Sequence, residues 1–192
     1  MAENSFELRR KLLHMGAGAV VLAPLFFGGE AVRAPLLLLL SLAFLAGVYF
    51  VDRKMKGRPT PLFDPLLRLV ERPGHPPGYG AFWYGVGLLL LFSFLNSARQ
   101  IAAGVFILAF ADGLASVFGR GGHPLPHNPA KSWEGLATFF IVASLTQLFL
   151  PVGEGPLFLA AFAALVESFN LHLDDNITVP LACAVFFRLW GG

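Results

Sequence analysis

Charge and cysteine are both scarce in this 192-residue chain. Charged residues make up 14% of it, against about 25% in an average soluble domain, while 56% of the residues are hydrophobic. So little polar surface excludes an ordinary water-facing globule, a disordered chain and a coiled coil. The single cysteine, Cys183, excludes a disulfide framework and a cysteine metal cluster. A net charge of only +2 argues against a nucleic-acid binder, so the composition is that of an integral membrane protein.

Long apolar runs are abundant, and they define the expected fold. A bilayer core takes about 20 mostly apolar residues per helix, and leucine and phenylalanine surround each run on all sides, as expected in lipid. We therefore predict an all-α, polytopic membrane bundle of about seven transmembrane helices, forming one domain over residues 1–192. The expected spans cover residues 12–29, 32–51, 80–95, 101–118, 135–150, 156–173 and 177–190.

The distribution of lysine and arginine predicts the orientation of this bundle. Basic residues concentrate in the cytoplasmic loops of membrane proteins. With the N-terminus inside, eleven of the 14 basic residues fall on the cytoplasmic side, and Arg33, Arg99 and Arg188 fall on the other. We therefore expect a cytoplasmic N-terminus. Three polar clusters fall on that same side. A charged side chain at membrane depth costs about 2.5–3.5 kcal/mol, so such residues are expected to have a function.

The first polar cluster lies at the start of the first span. Glu7, Lys11, His14 and Gly18 follow one another at intervals of three or four and share a helix face. For the basic run at residues 9–11, an ordinary membrane anchor is the simpler interpretation. His14 lies inside the apolar run, where an imidazole needs a polar partner, and Glu7 is within reach. His14 is therefore a candidate catalytic residue.

The second cluster begins with Asp112 in the fourth span and continues through a glycine-rich loop into a capped helix. Glycines let a backbone approach a ligand closely and present N–H groups to an anion. Either Asn128 or Ser132 would cap the next helix and place basic side chains at its positive end. This predicts a phosphate site, and a plain glycine-rich turn is the alternative. The candidate nucleotide-binding residues here are Gly119, Arg120, Gly121, Gly122, Lys131, Ser132, Glu134 and Gly135.

The third cluster is acidic. Glu167 shares a predicted helix face with Asn170 and Asp174, and Asp175 follows directly. Two adjacent carboxylates repel each other unless a cation lies beside them, and oxygen ligands without cysteine suit Mg²⁺ better than zinc. We therefore predict a magnesium site formed by Asp112, Asp174 and Asp175. A solvated acidic turn is the alternative.

Aromatic residues near the predicted span ends have a simpler explanation. Tryptophan and tyrosine are enriched at membrane–water interfaces. We therefore expect Trp83, Tyr84, Trp133 and Trp190 to lie in the interfacial belts.

A phosphate site beside carboxylates at membrane depth predicts phosphoryl transfer to a lipid. This chemistry needs in-line positioning, cations on the charged oxygens and an acceptor for the hydroxyl proton. That acceptor would be Glu167, His14 or one of the paired aspartates. The sequence contains neither a P-loop nor protein-kinase signatures. The candidate catalytic residues are Asp112, Lys131, Glu167, Asp174, Asp175 and His14.

Five motifs carry a family resemblance over almost the whole chain. They are ELRRKLLHMGAG at 7–18, ERPGHPPGYGAFWY at 71–84, ADGLASVFGRGG at 111–122, KSWEG at 131–135 and ESFNLHLDDNITVPL at 167–181. In order and spacing the chain resembles the CTP-dependent polyprenol kinase family, which includes dolichol kinase, phytol kinase and a CTP-using diacylglycerol kinase. The resemblance implies transfer of the γ-phosphate of CTP to an isoprenoid alcohol or a related lipid hydroxyl. It implies functional positions at Asp112, Arg120, Lys131, Ser132, Glu167, Asp174, Asp175 and Asn176.

Two other functions stay open at this point. The segment 112–135 is also similar to phosphatidate cytidylyltransferase, which uses CTP differently, although the C-terminal PGHGG…DR signature of that enzyme is missing. A non-enzymatic alternative is a small transporter with a relay of buried acids. A relay predicts acids along a route to both sides of the membrane, whereas these acids cluster on one side. The sequence does not select the lipid alcohol or its chain length.

Overall fold

Helices account for most of the described chain. A computed structural model describes residues 2–61, 63–65, 76–149, 155–169, 171 and 173–190, without the side chains of residues 2–7, 148, 149 and 156. The helices are α1 (Ala2–Gly28), α2 (Arg33–Met55), α3 (Tyr79–Phe94), α4 (Ala98–Phe106), α5 (Asp112–Phe118), α6 (Trp133–Ser144), α7 (Thr146–Phe149), α8 (Pro156–Ser168) and α9 (Asp175–Trp190). A 3₁₀ turn at Gly29–Val32 joins α1 to α2, and a π-helical segment at Ile107–Ala111 joins α4 to α5.

Local sequence explains where several helices begin. Ser97 and Ser132 each cap a helix by accepting a hydrogen bond from the amide N–H three residues on, at 3.2 and 3.1 Å. Gly78 and Gly155 precede α3 and α8 with φ of 71° and 118°, a left-handed conformation that glycine adopts without strain. The helices α3, α4, α6 and α8 therefore each follow a residue suited to ending the preceding loop.

The helices pack in a definite order. α3 lies between α2 and α9, α1 packs on α4, the π segment and α5, and α6 packs on α5 and α8. The largest fully buried side chains include Leu91, Phe92, Ile101 and Phe139. The core also takes in buried residues from α1, α8 and α9, such as Val21, Leu159 and Cys183.

The contacts define two ends of this bundle. Lys11 on α1 meets Asp112, whereas Glu30, just after α1, meets Ala98, so α1 runs antiparallel to the 98–118 stretch. Arg33 at the start of α2 meets Leu95 just beyond the end of α3, so these two helices are also antiparallel. We call these two regions the Asp112 end and the Glu30 end.

The all-α prediction is confirmed for most of the described residues but is wrong between residues 124 and 132. An antiparallel hairpin lies there, formed by β1 (Pro124–Leu125) and β2 (Asn128–Ser132). Asn128 is a strand residue, so its expected role as a helix cap is wrong and Ser132 is the cap. The physical reason is the run of prolines at positions 124, 126 and 129, which lack the N–H that a helix needs.

The membrane prediction is supported at a coarser level than seven spans. Among the described residues, two helical stretches are long and apolar enough to cross a membrane, Leu8–Met55 across the 3₁₀ turn and Ala98–Phe118. No residue of α2 is buried, although this helix is fully described and rich in leucine. Its exposed leucines include Leu38, Leu39, Leu42 and Leu45. An outward apolar face of this kind favours a lipid environment.

Candidate active site

A buried ion pair between α1 and α5 lies at the Asp112 end. Lys11 Nζ lies 2.7 Å from Oδ2 of Asp112, and the two side chains are 8% and 1% exposed. A buried charge is costly unless it is paired, so each group depends on the other. The membrane-anchor interpretation is wrong for Lys11, because its side chain is buried inside the protein together with those of Arg10 and His14.

The π-helical segment shapes the approach to Asp112. The amide N–H of Asp112 bonds to the carbonyl of Ile107, five residues back instead of four, a geometry common at functional sites. His14 Nε2 lies 3.2 Å from the carbonyl oxygen of Leu108 in the same segment. Because a carbonyl only accepts, Nε2 carries the proton, and the lone pair of the neutral ring is on Nδ1. The side chain of Glu7, the partner expected for His14, lies outside the described residues.

Lys131 links two further carboxylates. It lies on β2, and its Nζ bonds to Oδ2 of Asp175 at 2.8 Å and to Oε1 of Glu167. Burial by itself would lower the pKa of Lys131, but the carboxylates of Asp175, Glu167 and Asp112 outweigh it and hold that pKa above its usual range. Lys131 therefore stays positively charged at physiological pH.

Three carboxylates from separate helices meet between these lysines. One oxygen each from Asp112, Glu167 and Asp175 lies within 4.8 Å of the others. With all five groups ionised, the three carboxylates and two lysines carry a net charge of −1. Oδ1 of Asp112 is buried and has no hydrogen-bond partner within the described chain. Hard oxygen ligands with excess negative charge fit a divalent cation such as Mg²⁺.

Of the three carboxylates predicted to form one site, Asp112 and Asp175 lie together, and Asp174 lies outside their group. Oδ1 of Asp174 accepts hydrogen bonds from the backbone N–H of Asn176 at 3.0 Å and from its Nδ2 at 2.6 Å. Asp174 therefore supports the start of α9. Glu167, expected as a proton acceptor, joins the carboxylate group instead, while Asn176 is buried with its Oδ1 unpartnered among the described residues. Asn170 lies outside the described residues.

The glycine-rich loop brings the end of α5 against the start of α6. A Cβ on Gly119 would lie 2.7–2.9 Å from Ala115 O, Ser132 Oγ and Gly135 Cα, closer than real contacts allow. Ser132 Oγ also donates to the Gly119 carbonyl at 2.7 Å. Gly119, Ser132 and Gly135 therefore hold two backbones together. Gly121 differs, because its φ is 69° and the space beside it is open, which leaves its backbone accessible to a ligand.

Glu134 is engaged within the loop. Its two carboxylate oxygens accept from the backbone N–H of His123 at 2.8 Å and pair with Nδ1 of His123 at 2.7 Å. Gly122 packs directly on the same carboxylate. These contacts position the loop that carries Arg120, which is exposed at its start. The predicted nucleotide-binding residues therefore lie together around the hairpin and the start of α6.

Sequence reasoning missed two residues of this region. Lys11 follows two arginines and has the pattern of an anchor. Tyr84 was expected in an interfacial belt, which is wrong, because it is only 7% exposed and its ring centroid lies 3.8 Å from that of His14. The useful signal was the three-residue spacing between Lys11 and His14, which places both on one face of α1.

Fold and site together define a class of protein: a helical, strongly apolar chain with a buried carboxylate–lysine centre beside a glycine-rich loop.

The chain is 30% identical to the phytol kinase of Synechocystis sp., over 97% of this chain and 79% of that protein. It is 31% identical to a probable chloroplastic phytol kinase 2 of Oryza sativa subsp. japonica, over 91% of this chain and 63% of that protein. An uncharacterized protein of Methanocaldococcus jannaschii, MJ1137, is 26% identical, over 93% and 91% of the two chains.

The chain belongs to the phytol kinase family. This confirms the resemblance to polyprenol kinases at the level of that family. No family model and no solved structure matches the chain.

Proposed function

We propose that the protein is a CTP-dependent kinase that transfers the γ-phosphate of CTP to the hydroxyl of an isoprenoid alcohol. The observation that carries this proposal is the group of three carboxylates and two lysines gathered at the Asp112 end. Relatives named phytol kinases support the acceptor class. The sequence motifs support CTP as the donor. Phosphoryl transfer needs positioned charges more than covalent chemistry, and this site supplies them.

Magnesium is the cofactor in this proposal. Asp112 and Asp175 would hold it, with Glu167 within reach, and the unpartnered Oδ1 of Asp112 is available as a ligand atom. When bound, Mg²⁺ neutralises charge on phosphate oxygens. Asp174, the other ligand expected from the sequence, then acts by holding Asn176 and the start of α9 in place.

The triphosphate would lie against the glycine-rich loop. Lys131 contributes a fixed positive charge, because its pKa is held above the usual range. The start of α6 adds the positive end of a helix dipole. Gly121 leaves its backbone open to the phosphates, and Arg120 lies on the same loop. Asn176, with its unpartnered Oδ1, is a further nucleotide contact.

His14 is the proton acceptor that the geometry favours. Its Nε2 proton is engaged with Leu108, so the lone pair on Nδ1 is available. As the alcohol oxygen bonds to the γ-phosphorus, its proton passes to Nδ1. The bond between the γ-phosphorus and its bridging oxygen breaks, and CDP leaves. Glu167 is the alternative acceptor, but Lys131 already occupies its carboxylate.

We further propose seven membrane passes, with the N-terminus and the Asp112 end facing the cytoplasm. The passes would be α1, α2, α3, the 98–118 stretch, α6 with α7, α8 and α9. The antiparallel contacts of the first four passes support this alternation. The end of α2 carries Arg53, Lys54 and Lys56, and its antiparallel packing on α3 places them at the Asp112 end, as the positive-inside rule expects.

A second candidate is a CTP:phosphatidate cytidylyltransferase, and a diacylglycerol kinase is a third. The observation that favours a cytidylyltransferase is the segment 112–135, whose motifs are similar to those of phosphatidate cytidylyltransferase as well as to those of polyprenol kinases. The two reactions transfer different parts of CTP. A kinase moves the γ-phosphate and releases CDP, whereas a cytidylyltransferase moves the cytidylyl group and releases pyrophosphate.

The full chain, purified in detergent, tests these alternatives with CTP labelled at the α or the γ phosphate. Phytol, geranylgeraniol, diacylglycerol and phosphatidate serve as acceptors, and ATP serves as the competing donor. We expect γ label in phytyl or geranylgeranyl phosphate, and its loss on chelation of Mg²⁺ with EDTA. Asp112→Asn should be inactive, whereas Asp52→Asn, an exposed carboxylate on α2, should keep full activity. Label from the α position in lipid, or transfer to diacylglycerol alone, would contradict the proposal.

A further inference from the structure

A further buried polar atom, the hydroxyl of Tyr84, lies on a ring that packs against His14. Tyr84 on α3 is 7% exposed, and its hydroxyl has no hydrogen-bond partner among the residues described. Its ring contacts the His14 imidazole, with centroids 3.8 Å apart and planes tilted by 50°. Leaving a buried hydroxyl unpaired costs stability. An unpaired group of this kind, next to a candidate active site, calls for a ligand.

Neighbouring side chains locate this hydroxyl along the helices. A Cβ built on Gly18 would lie 2.9 Å from Tyr84 Oη and would overlap the Cβ of Ala109. Ala109 lies in the π segment, three residues before Asp112. The Tyr84 hydroxyl therefore lies against α1 and the π segment. His14 links Tyr84 to the π segment through its ring contact with Tyr84 and its bond to Leu108.

The surroundings beyond Tyr84 are apolar. The buried face of α1 continues from Gly18 to Val21 and Leu25, both in the hydrophobic core. These apolar surroundings do not suit a triphosphate, whose cationic partners lie at the loop. Between these two environments, a single phenol can donate one hydrogen bond to a neutral oxygen.

We propose that the Tyr84 hydroxyl binds the hydroxyl oxygen of the lipid alcohol and holds it beside Nδ1 of His14. The proposal rests on the kinase function above and assigns its acceptor subsite to α1, α3 and the π segment. Tyr84 donates its hydrogen bond and keeps its proton, while the alcohol proton goes to His14. A side chain at Gly18 would overlap the Cβ of Ala109 and crowd the Tyr84 hydroxyl.

The test is Tyr84→Phe in the full chain, which removes the hydroxyl and keeps the ring contact. With phytol as the acceptor, kcat/KM should fall by about tenfold or more, the loss of a binding group that the site is built to use. The KM for CTP should stay unchanged. Because the lost hydroxyl is unpaired in the free protein, the midpoint of thermal unfolding should stay the same or rise.

Tyr49→Phe is the matched control. Tyr49 is an exposed tyrosine of α2 whose hydroxyl accepts from Arg53 at 3.3 Å, and its loss should leave phytol kinetics unchanged. Normal phytol kinetics in Tyr84→Phe would overturn the inference and leave the kinase function standing. A lower unfolding midpoint with equal losses for phytol and CTP would also overturn it, since that pattern marks a structural role. A wild-type protein that phosphorylates no alcohol would refute the kinase function and this inference with it.

Discussion

Charged side chains meet at both ends of the helical bundle, but they make different kinds of contacts. At the Glu30 end, Arg33 donates to the carbonyl oxygens of Leu95 at 2.7 Å and Asn96 at 2.6 Å. Glu30 accepts from the backbone N–H of Ala98 at 2.6 Å. These backbone groups end α3 and begin α4, so each charge satisfies a helix terminus.

At the Asp112 end, charges pair with other charges. Lys11 meets Asp112, and Lys131 meets Glu167 and Asp175. One oxygen of Asp112 is left without a partner in the part of the chain that the structure describes. The difference between the ends teaches that charge in an apolar protein serves structure when it satisfies the backbone. A buried charged group with an oxygen left unpartnered indicates a ligand site instead.

The largest effect on stability is expected from breaking the buried pair at the Asp112 end. Lys11→Met leaves the carboxylate of Asp112 buried and unpaired, which should lower the free energy of unfolding by about 3–5 kcal/mol. Denaturant titration in detergent micelles measures this quantity. The double variant Lys11→Met with Asp112→Asn should regain most of the stability and stay inactive. A double variant with restored activity would show that the pair only supports the fold.

The next effect is on activity. Asp175→Asn removes one member of the carboxylate group, and the rate of lipid phosphorylation should fall by about a hundredfold or more, in the range seen when one electrostatic group is lost. Folding should be preserved, because Lys131 keeps Glu167 as a partner. Initial rates and thermal unfolding measure both properties, with the partly exposed Asp64→Asn as the control. Near-normal rates in Asp175→Asn would remove this residue from the site.

A smaller effect, on stability and not on activity, is expected at the Glu30 end. Glu30→Gln removes a negative charge from the first amide of α4, and the free energy of unfolding should fall by about 1 kcal/mol, the usual value of a helix cap. Activity per folded molecule should not change. A loss of activity at full stability would mean that the two ends are coupled in function.

The smallest effect is expected on the exposed surface of α2. Asp52 and Lys56 form an i,i+4 pair at 2.7 Å, with side chains 52% and 60% exposed. Asp52→Asn should change the free energy of unfolding by less than about 0.5 kcal/mol, because water and salt screen such pairs. This variant sets the baseline for the other three, and a change above 1 kcal/mol would contradict the distinction between buried and exposed pairs.

The candidate site was predictable only where local sequence carries the signal. Asp112, Lys131 and Asp175 stand out because an acidic or basic group within an apolar chain is costly and therefore conspicuous. Lys11 and Tyr84 do not stand out, because basic and aromatic residues near span ends are typical of any membrane helix. Lys11 and Asp112 are 101 residues apart in sequence, and only packing of α1 on α5 makes them a pair.

The amino-acid sequence alone determined the helical character of this protein, the position of most of its apolar helices and the residues that form its polar clusters. These properties follow from composition and spacing, which act within a few helical turns. The tertiary structure alone decided that Glu167 joins the carboxylates and Asp174 does not. It also decided that Asn128 lies in a strand and that Tyr84 is buried against His14. The physical reason is that contacts between separate helices depend on how those helices pack, and spacing within one helix carries no information about its neighbours.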